Sequence, residues 1–106
     1  MTVMTHIADG KVVEIAISGR FDFSVHREFR EAYENAVIDT PNPKYVLNLG
    51  STEYMDSSAL GMLLLLREYA GGDKCDIKIT RCGPEIKEIL DISNFNKLFD
   101  IEMSSH

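Results

Sequence analysis

From Tyr45 to Thr80 the chain runs apolar segment, Asp-Ser-Ser, apolar helical stretch, glycine pair, apolar segment. That order is satisfied by a strand–helix–strand crossover, whose two strands lie parallel in one sheet with a right-handed connection. Tyr45–Leu49 is a short apolar run broken only by Asn48, the pattern expected of a central strand covered on both faces. Asp56, Ser57 and Ser58 supply cap residues for a helix running to about Ala70, and Gly71-Gly72 stops it. This helix carries Leu60, Met62 to Leu66 and Tyr69 nearly all round, with only Arg67 and Glu68 charged, so it is expected to lie deep against the sheet. Asp76–Thr80 is the returning strand, with Ile77 and Ile79 on one face.

The flanking segments extend the same sheet. Thr2–Ile7 reads as a strand, and Asp9-Gly10 is a two-residue hairpin signal because both residues tolerate positive φ. Lys11–Ser18 alternates, with Val13, Ile15 and Ile17 on one face and Glu14, Ala16 and Ser18 on the other; Gly19 to Asp22 ends it. Ser24 is the expected cap of a first helix, whose stripe is Val25, Phe29, Ala32, Ala36 and Val37. Thr40-Pro41-Asn42-Pro43 terminates that helix, and Gly50–Met55 reads as a loop. Gly83-Pro84 opens a third helix with Ile86, Ile89 and Leu90 inward; Ser93–Asn96 turns, and Leu98–Ile101 is a short last strand. The order is β-β-α-β-α-β-α-(β), an α/β domain with a mixed central sheet covered by helices. Ile15, Ile17, Val46, Leu47, Leu64, Ile77 and Ile79 are its expected shared core. Residues 1–106 form a single domain in this reading, with 103–106 expected to fray.

Composition narrows the function classes. At 106 residues, 44% hydrophobic and 26% charged, the chain has the makings of one packed core. Seventeen acidic against eleven basic residues give a net charge of −6, spread along the chain, which is the wrong sign for a nucleic-acid binder. The longest apolar stretch, Met62–Leu66, is far short of the roughly 20 residues a membrane helix needs, and the N-terminus lacks a signal-peptide pattern. Cys75 and Cys82 flank a strand that would hold them roughly 23 Å apart, while a disulfide needs Cα atoms within about 7 Å. They read as free thiols of a reducing cytoplasm. With His at 6, 26 and 106 only, no metal-ligand spacing emerges, and no cofactor motif is present.

The chemistry-bearing stretch is Gly50 to Gly61, at the C-terminal end of a central strand and the start of a helix. On N-cap preferences alone, Asp56-Ser57-Ser58 is a cap. The same helix start has unpaired amides that favour an anion, so a serine there also suits phosphorylation. Ser57 makes a poor hydrolase nucleophile: there is no G-x-S-x-G elbow and no histidine in sequence relation to it. A P-loop is excluded by the missing glycines and lysine.

Met55-Asp-Ser-Ser-Ala-Leu-Gly61 resembles the signature of STAS-domain anti-sigma factor antagonists, bacterial regulators of transcription. Gly19-Arg-Phe-Asp22 resembles that family's Gly-x-Leu-Asp turn, and Ile89 to Ile101 resembles its closing segment. The three matches come in order and cover most of the chain. The resemblance implies a non-enzymatic cytoplasmic switch protein, acting as a monomer, in which Ser57 is phosphorylated by a serine kinase that doubles as an anti-sigma factor. The unphosphorylated form binds that kinase, and a serine phosphatase restores it. Asp22, Phe23, Asp56, Ser58, Ala59, Leu60 and Met62 are the implied partner-binding residues, with Ser58 read as a cap-region hydroxyl. Ala59 stands where the family usually has glycine. Two alternatives share these features: a STAS switch acting on a non-sigma signalling kinase or phosphatase, and a ligand-binding STAS module of a transport system.

Overall fold

Val13, Ile15 and Ile17 occupy every second position of a strand, so they must share one face, and burying that face decides everything stacked on it. A computed structural model describes residues 3–8, 11–35 and 43–103. Its principal sheet contains β1 (Val3–Ala8), β2 (Val12–Ile17), β4 (Lys44–Asn48), β6 (Asp76–Cys82) and β7 (Asp100–Met103), in the order β1-β2-β4-β6-β7. β1 pairs antiparallel with β2, and the remaining pairs are parallel, so the sheet is mixed as expected. Asp9-Gly10 lies outside the described residues.

Register lines the core up in rows. Ile15, Leu47, Ile79 and Ile101 are successive cross-strand partners, as are Val13, Tyr45 and Ile77. Ile15, Leu47 and Ile79 are fully buried, each such side chain contributing roughly 1.5–3 kcal/mol of transfer free energy. The helices α1 (His26–Glu34), α2 (Ser57–Tyr69) and α3 (Pro84–Ile92) bring Phe29, Tyr33, Leu63, Leu66, Ile86 and Leu90 into the same cluster. Pro84 stands at the first turn of α3, as its missing N–H allows. None of the described helices is long and apolar enough to cross a membrane.

The opposite face of the sheet is half-open, which corrects the expectation that Tyr45–Leu49 is covered on both sides. Val46 is only partly buried because its cross-strand partners are Glu14 and Lys78. A valine flanked by two charges offers no surface on which another layer can seal.

Helix α2 requires a second correction. It is apolar nearly all round, yet it has one sheet to face. Ala59, Met62, Leu63 and Leu66, at helical spacing, are buried. Leu64, Leu65 and Tyr69 are 41%, 62% and 52% exposed, so Leu64 is not part of the shared core. The first helix also starts differently from expectation. A 3₁₀ turn, Phe23–Val25, precedes α1, and the side chain of Asp22 rather than Ser24 supplies the cap. Ala36 and Val37 lie outside the described residues.

Two strands were not expected. β3 (Gly19–Phe21) and β5 (Thr52–Met55) pair in parallel as a separate two-stranded ribbon, in place of a strand end and a loop. Gly19, at φ +78°, turns the chain off β2 into this ribbon, a conformation glycine adopts freely. The Gly19 amide donates to the Ser51 carbonyl at 2.9 Å, and the Thr52 hydroxyl donates to the Ile17 carbonyl at 2.7 Å. The second of these bonds ties the ribbon to the end of β2. The last strand is shifted two residues beyond expectation, after a turn in which Asn94 takes φ +62° and Phe95 and Phe99 turn inward.

Cys75 and Cys82 are both free, at the two ends of β6. Cys82 is fully buried, and that burial pushes its thiol up to about 11. At pH 8 a thiol reagent is therefore expected to modify Cys75 readily in the folded protein and Cys82 only on unfolding. Two equally fast thiols would contradict the placement of Cys82. In denaturant unfolding, Leu63→Ala is expected to cost roughly 2–5 kcal/mol, while Leu64→Ala should cost less than about 1 kcal/mol because the side chain is partly solvated.

Candidate functional site

β3 and β5 end at the same level, because Phe21 and Met55 are in-register partners. Both side chains are buried beneath the ribbon. The next residue in each chain is an aspartate, Asp22 or Asp56, and each begins a turn into a helical segment. Adjacent strands lie about 4.8 Å apart, so the two acids leave the ribbon side by side.

The two turns repeat the same chemistry. Asp56, extended at φ −122° and ψ −174°, caps α2. Its Oδ1 accepts from the Ser58 amide at 3.1 Å, the Ala59 amide at 3.2 Å and the Ser58 hydroxyl at 2.6 Å. Asp22, at φ −136° and ψ −172°, caps the 3₁₀ turn. Its Oδ1 accepts from the Ser24 amide at 3.0 Å and the Ser24 hydroxyl at 2.5 Å, while Oδ2 accepts from Arg20 Nε at 3.2 Å. The Ser24 hydroxyl and amide, then Arg20, hold the Asp22 carboxyl below the usual carboxylate range. Both turns are therefore Asp-x-Ser, with the serine hydroxyl folded back onto the acid.

The middle residue of each turn is left facing water. In the second turn it is Ser57, which is exposed and whose hydroxyl has no hydrogen bond among the described residues. Ser58, by contrast, is half-buried and engaged with Asp56. In the first turn the middle residue is Phe23, 64% exposed and stacked on His26 with ring centroids 4.3 Å apart. Of the other candidate contacts, Leu60 is half-buried, while Ala59 and Met62 are buried and anchor the helix. Met62 also forms the floor of a groove of about 340 Å³ between α1 and α2, together with Phe29, Tyr33 and Leu65.

No acid or base is hydrogen-bonded to Ser57 among the described residues. No group of three metal-ligating side chains is found among them either. The arrangement presents a free hydroxyl beside two carboxylates, a place where an added phosphate would change the local charge sharply.

Sequence reasoning missed Arg20 and Tyr54. The Arg20 guanidinium lies 4.1 Å from the centre of the Tyr54 ring, across the ribbon. The signal that could have found them is the repeated Asp-x-Ser at 22–24 and 56–58, each following a short β-prone stretch.

A family model described as Mlab, STAS domain matches residues 4–101. A STAS-domain containing protein of Pseudomonas aeruginosa (strain UCBPP-PA14) is 54% identical over 94 residues, covering 89% of this chain and 91% of that protein. An anti-sigma factor antagonist from Mycobacterium paratuberculosis has the same fold, with a TM-score of 0.76 at 19% identity over 95% of this chain and 84% of its own. The phosphorylated form of SpoIIAA, a Bacillus cell fate determinant, aligns with a TM-score of 0.64 at 14% identity, covering 93% and 89% of the two chains.

Asp56→Ala is expected to destabilise the protein by about 0.5–2 kcal/mol, whereas Ser57→Ala, which removes no bond, should leave unfolding unchanged. The depressed pKa of Asp22 adds a pH signature. Its stabilisation is present above the unfolded value near 3.8 and is lost as pH falls through the lower folded value. Asp22→Asn should accordingly flatten the acid limb of stability measured between about pH 2 and pH 5. An unchanged acid limb would show that Asp22 is not held as described.

Proposed function

This chain belongs to the STAS-domain family, and from that premise we propose that it is an anti-sigma factor antagonist controlled by reversible phosphorylation of Ser57. The observation that carries the reading is the contrast between adjacent serines: Ser58 is engaged with the cap, and Ser57 stands exposed and unbonded among the described residues. The SpoIIAA relative known in a phosphorylated form supports the chemistry.

In this mechanism the protein is a substrate and a ligand, not an enzyme. It works in the cytoplasm with two partners, an anti-sigma factor that is also a serine kinase, and a serine phosphatase. The unphosphorylated protein binds the kinase and releases its sigma factor. Phe23, exposed at the same end of the ribbon as Ser57, offers an apolar anchor, and Asp22, Asp56, Ser58 and Leu60 are the other proposed contacts. Phosphorylation adds about −1.5 to −2 charges. They fall next to two carboxylates on a chain already at −6. Against an acidic or apolar partner surface that charge costs several kcal/mol through repulsion and desolvation, with the fold intact.

Affinity capture with Ser57→Ala as bait, read by mass spectrometry, should retain a serine kinase that a bait carrying phosphoserine at position 57 does not. Ser57→Asp, with a single added charge, should lose part of that binding. Retention by the phosphoserine bait and not by Ser57→Ala would reverse the sign of the switch and defeat the mechanism.

A further inference from the structure

On the ribbon's solvent side, one cation is held in place with most of its donors unused. Arg20 is exposed, its side chain retaining 66% of its accessible surface. It is nevertheless ordered by two contacts: Nε donates to Asp22 Oδ2 at 3.2 Å, and the guanidinium plane rides over Tyr54 at 4.1 Å. Its two terminal nitrogens make no hydrogen bond among the described residues. A guanidinium has five donors arranged as a planar fork that matches phosphate oxygens, and only one of them is engaged here.

The register directs that fork toward the second turn. Arg20 pairs with Tyr54, and Phe21 with Met55, so Arg20 and Asp22 alternate to the same side as Tyr54 and Asp56. The reach of Arg20 to Asp22 carries its guanidinium forward to the level at which both aspartates leave the ribbon. Ser57 follows Asp56 immediately, as Phe23 follows Asp22, so the register brings both to the same end of the ribbon.

We propose that Arg20 is the internal receiver of a phosphate on Ser57, taking its oxygens with the terminal nitrogens while Nε stays on Asp22. This rests on Ser57 being the acceptor and deepens that reading by naming what the phosphate meets. The contact holds the phosphoseryl group down against the ribbon and favours its dianionic form among neighbouring carboxylates. Arg20 is thus a positioning residue of the phosphorylated state. Neither Asp22 nor Asp56 can serve that role, since both repel the phosphate.

The test needs neither kinase nor partner. Phosphoserine is installed at position 57 during synthesis of the full chain, and the second ionisation of its phosphate, ordinarily near pKa 6, is followed by ³¹P NMR. The comparison is among the otherwise wild-type chain, Arg20→Gln and Lys11→Gln. Lys11 is exposed and precedes β2, at the far end of the sheet, so its removal controls for net charge alone. Arg20→Gln should raise the phosphate pKa by about half a unit or more, as loss of a contacting cation requires, and Lys11→Gln should leave it unchanged by comparison. No rise in Arg20→Gln would overturn the assignment, and so would an equal rise in Lys11→Gln. Failure of the partner switch would show instead as capture of the same partner by phosphorylated and unphosphorylated baits, whatever the titration gives.

Discussion

The parallel register of Phe21 with Met55 holds two aspartate-capped turns side by side, and the surface features of this protein follow from it. Burial of those two side chains fixes the height of the ribbon over the core. Each strand then ends on an acid that turns the chain into a helical segment. Because an Asp-x-Ser turn folds its serine hydroxyl back onto the acid, the middle residue is the one left to solvent. One turn presents an aromatic ring there and the other a free hydroxyl. The proposed apolar anchor and the proposed phosphoacceptor thus leave the same end of the ribbon without either having to be built for the other.

Packing explains why a charge can be added at that point without disturbing the fold. The core is one-sided: three helices close over a single face of the sheet, and the cross-strand rows through Ile15, Leu47 and Ile79 lie beneath them. Ser57 is the first residue of α2 and contributes nothing to that core, whereas Ala59, Met62, Leu63 and Leu66 anchor the helix. The surplus apolar residues of α2 face outward instead. Leu65 and Tyr69 line the groove against α1, where Tyr33 and Tyr69 meet with ring centroids 5.0 Å apart. The buried and the exposed apolar residues thus lie on different faces of one helix.

Much of this was legible in the sequence, for physical reasons that can be named. The β2 alternation, the crossover through α2, the Gly71-Gly72 stop and the Pro84 start are local signals, and each appears in the fold. The Asp56 cap was legible for the same reason, since a cap is written in a few adjacent residues. The ribbon was not. β3 and β5 have three and four residues, too short to show a period, and their pairing is a contact between segments far apart in the chain. Arg20 and Tyr54 were hidden with it, because only the pairing brings them together. The outward turn of Leu64 was illegible for the opposite reason: an all-round apolar helix does not reveal which side will find a sheet. Val46 was misread because its polar neighbours stand on other strands.

The most direct test of this account is site-resolved mass spectrometry of the protein isolated from cells in which the switch is off. The account predicts a single phosphate on Ser57, with Ser58 and Ser24 unmodified because their hydroxyls are engaged with Asp56 and Asp22. A phosphate on Ser58 or Ser24 with Ser57 left free, or no phosphate in any growth condition, would contradict it.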